Sequence, residues 1–259
     1  MPRIKVCGVT DAAFAVEAAR RGVDYLGLIF AEGSPRQVTP EKAHEIVANV
    51  RADVGTSAVK STPRFVGVFV RHTPEEIVDV ATRVGLDVIQ LHGDYDDSAV
   101  TTLKKRGYEV WRLFNAVGRT AEADGVEGQD SPRGRLRCKP QRNEVTHRLL
   151  AGLDLDPLHE ESLEDAVLLD GRRGNESRRA DWSLVAPLKE SGRRVVLAGG
   201  ISAENISSAI ATDADVIDVN SSIETSPGVK SLELLDELLR SINFYAVPSN
   251  SNVNKQNSY

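Results

Sequence analysis

Eight short apolar runs punctuate the chain, and between them the apolar residues recur at helical spacing. The runs are RIKVCG at 3–8, YLGLIF at 25–30, FVGVFV at 65–70, VIQLHG at 88–93, EVWRLF at 109–114, AVLLD at 166–170, RVVLAGG at 194–200 and VIDVNS at 216–221. A strand that is apolar on both faces must be covered on both, which is the situation of a parallel sheet flanked by helices. Eight strand–helix repeats within 259 residues predict an α/β fold, a single (β/α)8 TIM barrel. The competing arrangement is an open, doubly wound sheet. It is disfavoured because no glycine-rich dinucleotide turn follows the first run.

Helices are expected from Asp11 to Arg21, from Pro40 to about Arg51, after Thr73, over about 97–106, near 143–152, from Glu204 to Thr212 and from Leu232 to Ile242. Thr73-Pro74-Glu75-Glu76 carries three start signals: a hydroxyl cap, a proline in the first turn and two acids facing the helix dipole. Two stretches break the rhythm. Residues 115–165 make the connection between strands five and six far longer than usual, so an insertion is expected there. It carries a basic cluster of Arg133, Arg135, Arg137, Lys139 and Arg142, read as a solvated insertion rather than a phosphate or nucleic-acid arm because no aromatic residues interleave for base stacking and acidic residues surround it. After Asn243 the chain turns to Asn and Ser, so residues 1–245 are taken as the barrel and 246–259 as a disordered tail.

Composition excludes several classes. A formal net charge of −6 argues against nucleic acid as a partner. Two cysteines, Cys7 and Cys138, make neither a disulfide framework nor a paired zinc site. No apolar leader and no run near the roughly 18 apolar residues of a membrane span is present, so a cytoplasmic protein is expected.

In such barrels chemistry sits at the carboxyl ends of the strands. Cys7 ends the first run and is either a small buried hydrophobe or a base. Asp170 ends AVLLD and is either a turn cap or a general acid. Arg36, in Ser34-Pro35-Arg36, is either solvated or placed to fork onto a carboxylate, and His92 is either a satisfied buried histidine or a ligand contact. Gly199-Gly200 and Ser221-Ser222 sit on adjacent strand ends seven and eight, where barrels usually grip phosphate through backbone N–H groups; the bland reading is tight turns alone.

Taken in order, KVCGVT, GLIF followed by SPR, VGVFV, IQLHG, LLD, DW, LAGG and DV-x-SS-x-E-x-x-PG-x-K resemble the phosphoribosylanthranilate isomerase family of tryptophan biosynthesis over roughly residues 3–242, the insertion apart. The resemblance implies a barrel needing no metal or cofactor. Its reaction is an Amadori rearrangement of N-(5-phosphoribosyl)anthranilate, a small phosphosugar–anthranilate substrate. Carried over position by position, Asp170 becomes the acid, Cys7 the base and Arg36 the holder of the anthranilate carboxylate. His92 becomes a substrate contact, and Gly199, Gly200, Ser221 and Ser222 become the phosphate cradle. The family's glycine-rich loop after strand six is replaced here by GRRGNESRRADW, where arginines 172, 173, 178 and 179 would attract the anion instead. Asn220-Ser221-Ser222 stands where the family has Ser-Ser-Gly. Monomer and homodimer both remain open. Two other functions stay in view: a phosphosugar-binding barrel without turnover, and a related aminoaldose isomerase, which would place an aspartate where Cys7 stands.

Overall fold

The apolar runs pair as their alternation requires. The computed structural model describes residues 1–54, 62–114, 163–173, 176–177 and 180–246. Strands β1 (Arg3–Val6), β2 (Tyr25–Ile29), β3 (Arg64–Phe69), β4 (Val88–Leu91), β5 (Glu109–Phe114), β6 (Ala166–Leu169), β7 (Val195–Leu197) and β8 (Val216–Val219) close into one barrel. All pairs are parallel, and β8 returns to β1 in the register Arg3↔Val216 to Val6↔Val219.

Helices α1 (Ala12–Arg20), α2 (Pro40–Val54), α3 (Pro74–Val84), α4 (Asp97–Lys105), α5 (Val185–Glu190), α6 (Ile206–Ala211) and α7 (Leu232–Ala246) alternate with the strands. Asp11 caps α1 by accepting from Phe14 N at 2.7 Å, and Thr73 and Glu76 complete a capping box on α3. Each such cap contributes about 1 kcal/mol. The last helix runs to Ala246 rather than stopping at Ile242; no Gly or Pro interrupts Asn243–Ala246, and the next proline is Pro248. The expected tail therefore loses its first residue, and 247–259 lie outside the described residues, as do the basic cluster and the helix expected near 143–152. Two short hairpins were not expected: 172–173 with 176–177, and Glu224–Ser226 with Val229–Lys230.

Two apolar layers hold the barrel. The inner one includes Tyr25, Val66, Trp111, Leu168 and Val196; the outer one packs strand residues such as Val6 and Leu28 against Phe14, Ile46 and Leu235 of the helices. Tyr25 meets Trp111 edge-on with ring centroids 5.0 Å apart. At the amino-terminal mouth Glu109 accepts from Trp111 Nε1 at 2.7 Å and from Arg194 Nη1 at 3.0 Å, and it pairs with Arg64.

A repeated joint sets the register. Asp24, Asp87, Asp165 and Asp215 each precede an even-numbered strand. Their carboxylates accept from the backbone N–H of Ile4, Phe65, Val110 and Val195 on the preceding odd strand, at 2.7, 2.7, 2.8 and 2.8 Å. Each aspartate's own N–H returns a bond of 2.8–2.9 Å to the carbonyl of that same residue.

Candidate active site

The carboxyl ends of the strands surround a cavity of about 200 Å³. Cys7, Arg36, His92, Asp170, Gly199, Gly200 and Ser221 all line it. Ser222 is not among the lining residues; it follows Ser221 in a 3-10 turn, Ser221–Ile223, and its hydroxyl is buried without a hydrogen-bond partner among the described residues.

β1 ends at Val6, one residue before the thiol, yet Cys7 N still donates to Val219 O at 2.8 Å, so the side chain sits on a fixed rim. Asp170 follows β6 immediately. Its Oδ2 lies 3.9 Å from His92 Nε2, and the His92 backbone N–H donates to Phe69 O at 2.9 Å. Around the ring, β7 and β8 separate the thiol's strand from the carboxylate's. Gly199 comes close to the acid: at φ +86°, a Cβ there would stand 2.7 Å from Gly171 N and 2.8 Å from Asp170 Oδ1.

The Arg36 guanidinium is already forked. Nε donates to Glu224 Oε1 at 2.8 Å and Nη2 to Oε2 at 2.6 Å, so the bidentate grip expected for a ligand carboxylate holds an internal one. Nη1 makes no hydrogen bond among the described residues and remains for a ligand. Glu224 also accepts from Lys230 Nζ at 2.8 Å, and that ammonium reaches Asn220 O and Oδ1 at 2.9 and 2.8 Å. Hydrogen bonding to Glu224 keeps Arg36 above its ordinary value. Burial pulls Lys230 down, with Glu224 opposing.

Beneath the thiol lies a second polar layer that the sequence reading missed. Lys5 is fully buried, and its Nζ stands 2.6 Å from Asp218 Oδ2. Gln90 and Asp218 line the cavity, and Gln90 Oε1 and Asp218 Oδ1 are buried acceptors with no partner among the described residues. Burial pushes the Cys7 thiol above its ordinary range while Lys5 pulls it back. Burial likewise pushes Asp218 up against the pull of Lys5. The signal was present in the sequence: Lys5, Gln90 and Asp218 are polar residues inside apolar runs, two positions before Cys7, His92 and Asn220, hence on the same face of their strands. The replacement loop after β6 falls largely beyond description, since 178 and 179 lie outside the described residues and 172–173 is described only as a short strand paired with 176–177. Among the described residues no group of three His, Cys, Asp or Glu side chains is arranged to hold a metal, and no helix is long and apolar enough to cross a membrane.

Comparison with known proteins bears on this arrangement. The family model described as N-(5'phosphoribosyl)anthranilate (PRA) isomerase matches residues 4–130 and 125–241. An N-(5'-phosphoribosyl)anthranilate isomerase of Rubrobacter xylanophilus is 32% identical over 240 residues, covering 91% of this chain and 96% of that one. The crystal structure of phosphoribosyl anthranilate isomerase from Thermus thermophilus is similar with a TM-score of 0.66 at 30% identity, covering 94% of this chain and 99% of that one. A further phosphoribosyl anthranilate isomerase, solved in complex with reduced 1-(o-carboxyphenylamino)-1-deoxyribulose 5-phosphate, matches with a TM-score of 0.65 at 27% identity, covering 94% and 100%.

Proposed function

The chain belongs to the N-(5'-phosphoribosyl)anthranilate isomerase family, and on that premise we propose that Cys7 and Asp170 are the base and acid of its reaction. The enzyme is an isomerase of tryptophan biosynthesis, converting N-(5-phosphoribosyl)anthranilate to 1-(2-carboxyphenylamino)-1-deoxyribulose 5-phosphate by an Amadori rearrangement.

That rearrangement needs one proton given and another taken at different points of the sugar. Asp170 gives its proton to the furanose ring oxygen; the C1'–O bond breaks, and the anthranilate nitrogen's lone pair forms the C1'=N iminium. The iminium acidifies C2'. Cys7, as thiolate, removes the C2' proton, and the electron pair moves to C1'=C2', giving a neutral enolamine. Tautomerisation moves the hydroxyl proton of C2' to C1' by way of solvent or a site acid, leaving the ketone. The observation carrying this reading is that a thiol and a carboxylate from separated strands share one cavity.

Around them, Arg36 offers Nη1 to the anthranilate carboxylate, held in place by Glu224. The Gly199-Gly200 and Ser221 turns receive the phosphate. The unpartnered oxygens of Gln90 and Asp218 suit a ligand rich in hydroxyl donors. We take residues 1–245 as the functional unit and the cytoplasm as its setting, where a reducing medium keeps the thiol free.

The test is loss of substrate fluorescence with substrate generated in place. Cys7→Ala and Asp170→Asn are each expected to lower kcat by at least about a hundredfold while ligand affinity changes little. Near-parental turnover in either variant removes that residue from its role.

A further inference from the structure

We propose that the buried Lys5–Asp218 pair acts on Cys7 as an adjustable counter-ion: the Lys5 ammonium stabilises the thiolate, and Asp218 competes for that ammonium. The inference rests on Cys7 being the base of the reaction above.

Its first support is placement. Lys5 and Cys7 alternate onto the same inner face of β1, both crowd the same point of β2, and Lys5 Nζ stands 2.6 Å from Asp218 Oδ2. Its second is the room made for them. On neighbouring β2, a Cβ on Gly27 would stand 2.9 Å from Cys7 Sγ, 3.0 Å from Cys7 Cα and 3.2 Å from Lys5 Cε. The absent side chain lets the ammonium stem and the thiol lie together. Its third is the poor return such a pair gives as a structural device. Two buried charges lose their hydration, and apolar side chains of the same volume often stabilise as well or better.

The other charged groups around the thiol do not supply the same partner. Lys230, from the hairpin after β8, is bound to Glu224 and Asn220, and Arg36, from the loop after β2, is forked on Glu224. Asp170, from β6, acts on Asp218 electrostatically and lies beside His92 of β4. Lys230 also draws the thiol down, but Lys5 does so more strongly and is the cation held by the buried Asp218 carboxylate. Burial pulls its ammonium down, but Asp218 and Cys7 more than offset this, so it stays charged at neutral pH.

This arrangement makes Lys5 and Asp218 positioning residues with opposite effects. Lys5→Met removes the counter-ion and should raise the pH midpoint of Cys7 ionisation by about one unit or more, equivalent to about tenfold less thiolate at a given pH below it. Asp218→Asn frees the ammonium for the thiolate and should lower that midpoint. A pair that merely supported the fold would not produce shifts of opposite sign.

The measurement is the rate of Cys7 alkylation by iodoacetamide against pH, read by mass spectrometry to separate Cys7 from Cys138, with the pH profile of kcat/KM taken on the same samples. Opposite shifts in alkylation establish the counter-ion. If Lys5→Met does not fold, the direction of the Asp218→Asn shift decides. An unmoved midpoint in folded Lys5→Met, or an unmoved or raised one in Asp218→Asn, overturns the proposal whatever the activity. If alkylation shifts as expected but the kcat/KM profile does not follow, the counter-ion stands and the assignment of Cys7 as base falls.

Discussion

Replacing Gly199 by alanine tests whether the turn after β7 is shaped around the acid. Two penalties are separable. The first is conformational: φ is +86°, and an L side chain in that region costs roughly 1–2 kcal/mol. For a domain of this size that lowers Tm by roughly 2–8 °C. The second is contact: the new Cβ would stand 2.7 Å from Gly171 N and 2.8 Å from Asp170 Oδ1, where ordinary contact begins at 3.4 Å. The Asp170–Gly171 segment must give way by about 0.7 Å. Since a displacement of about 1 Å at a reacting group can cost about a hundredfold, kcat should fall by about ten- to a hundredfold. Gly192→Ala is the control. Its φ of +83° is similar, but nothing lies within 4 Å of the added carbon, so Tm should fall alike while kcat holds. Thermal melts and the fluorescence assay on both variants separate the effects. Full kcat in a folded Gly199→Ala enzyme, or equal losses in the two variants, would refute the reasoning.

Glu224→Gln leaves the Arg36 and Lys230 charges facing a neutral amide in a largely buried place. A loss of about 3 kcal/mol in urea unfolding is expected, with KM rising more than kcat falls; an unchanged KM would show that Arg36 does not depend on the clamp. Glu109 is one contributor to the acid limb of stability. Burial pushes its carboxyl up, but Trp111, Arg64 and Arg194 outweigh this and hold it below the ordinary range. Its contribution is therefore full above the unfolded carboxylate value of about 4.3 and is lost as pH falls through the lower folded value. Glu109→Gln should flatten the dependence of Tm on pH over that acid window; an unchanged slope would exclude the network as its source.

The fold was legible because each strand carries its own evidence. Runs such as YLGLI are buried along their whole length, and eight of them alternating with helical patterns point to a parallel sheet under helices. The strand-end rule then brought seven of the eight chosen site residues into one cavity. Ser222 is not in that lining: it sits in a 3-10 turn, which rotates successive side chains by about a third of a circle. The rule was silent about partners from distant chain. That Glu224 would occupy the Arg36 fork, 188 residues away, cannot be read from Ser34-Pro35-Arg36 alone. Lys5, Gln90 and Asp218 were missed for a different reason. Searching only strand ends ignores the layer two residues deeper, where a polar side chain in an apolar run is itself the anomaly.

The four aspartate joints make the barrel tolerant of uneven chain length. From the last residue of the odd strand to the joint is 18 residues in three cases (Val6 to Asp24, Phe69 to Asp87, Leu197 to Asp215) and 51 in the fourth, Phe114 to Asp165. By logarithmic scaling, closing a chain lengthened in that ratio costs only about 1 kcal/mol more. Asp165 meets Val110 N at 2.8 Å, as its three counterparts meet theirs, and Lys104 adds a bond of 2.9 Å to its other oxygen. Register is thus set at the seam between strands rather than by the span that joins them. A lineage can lengthen that span between β5 and β6 while the carboxyl end of β6, and the acid it carries, stays where the chemistry needs it.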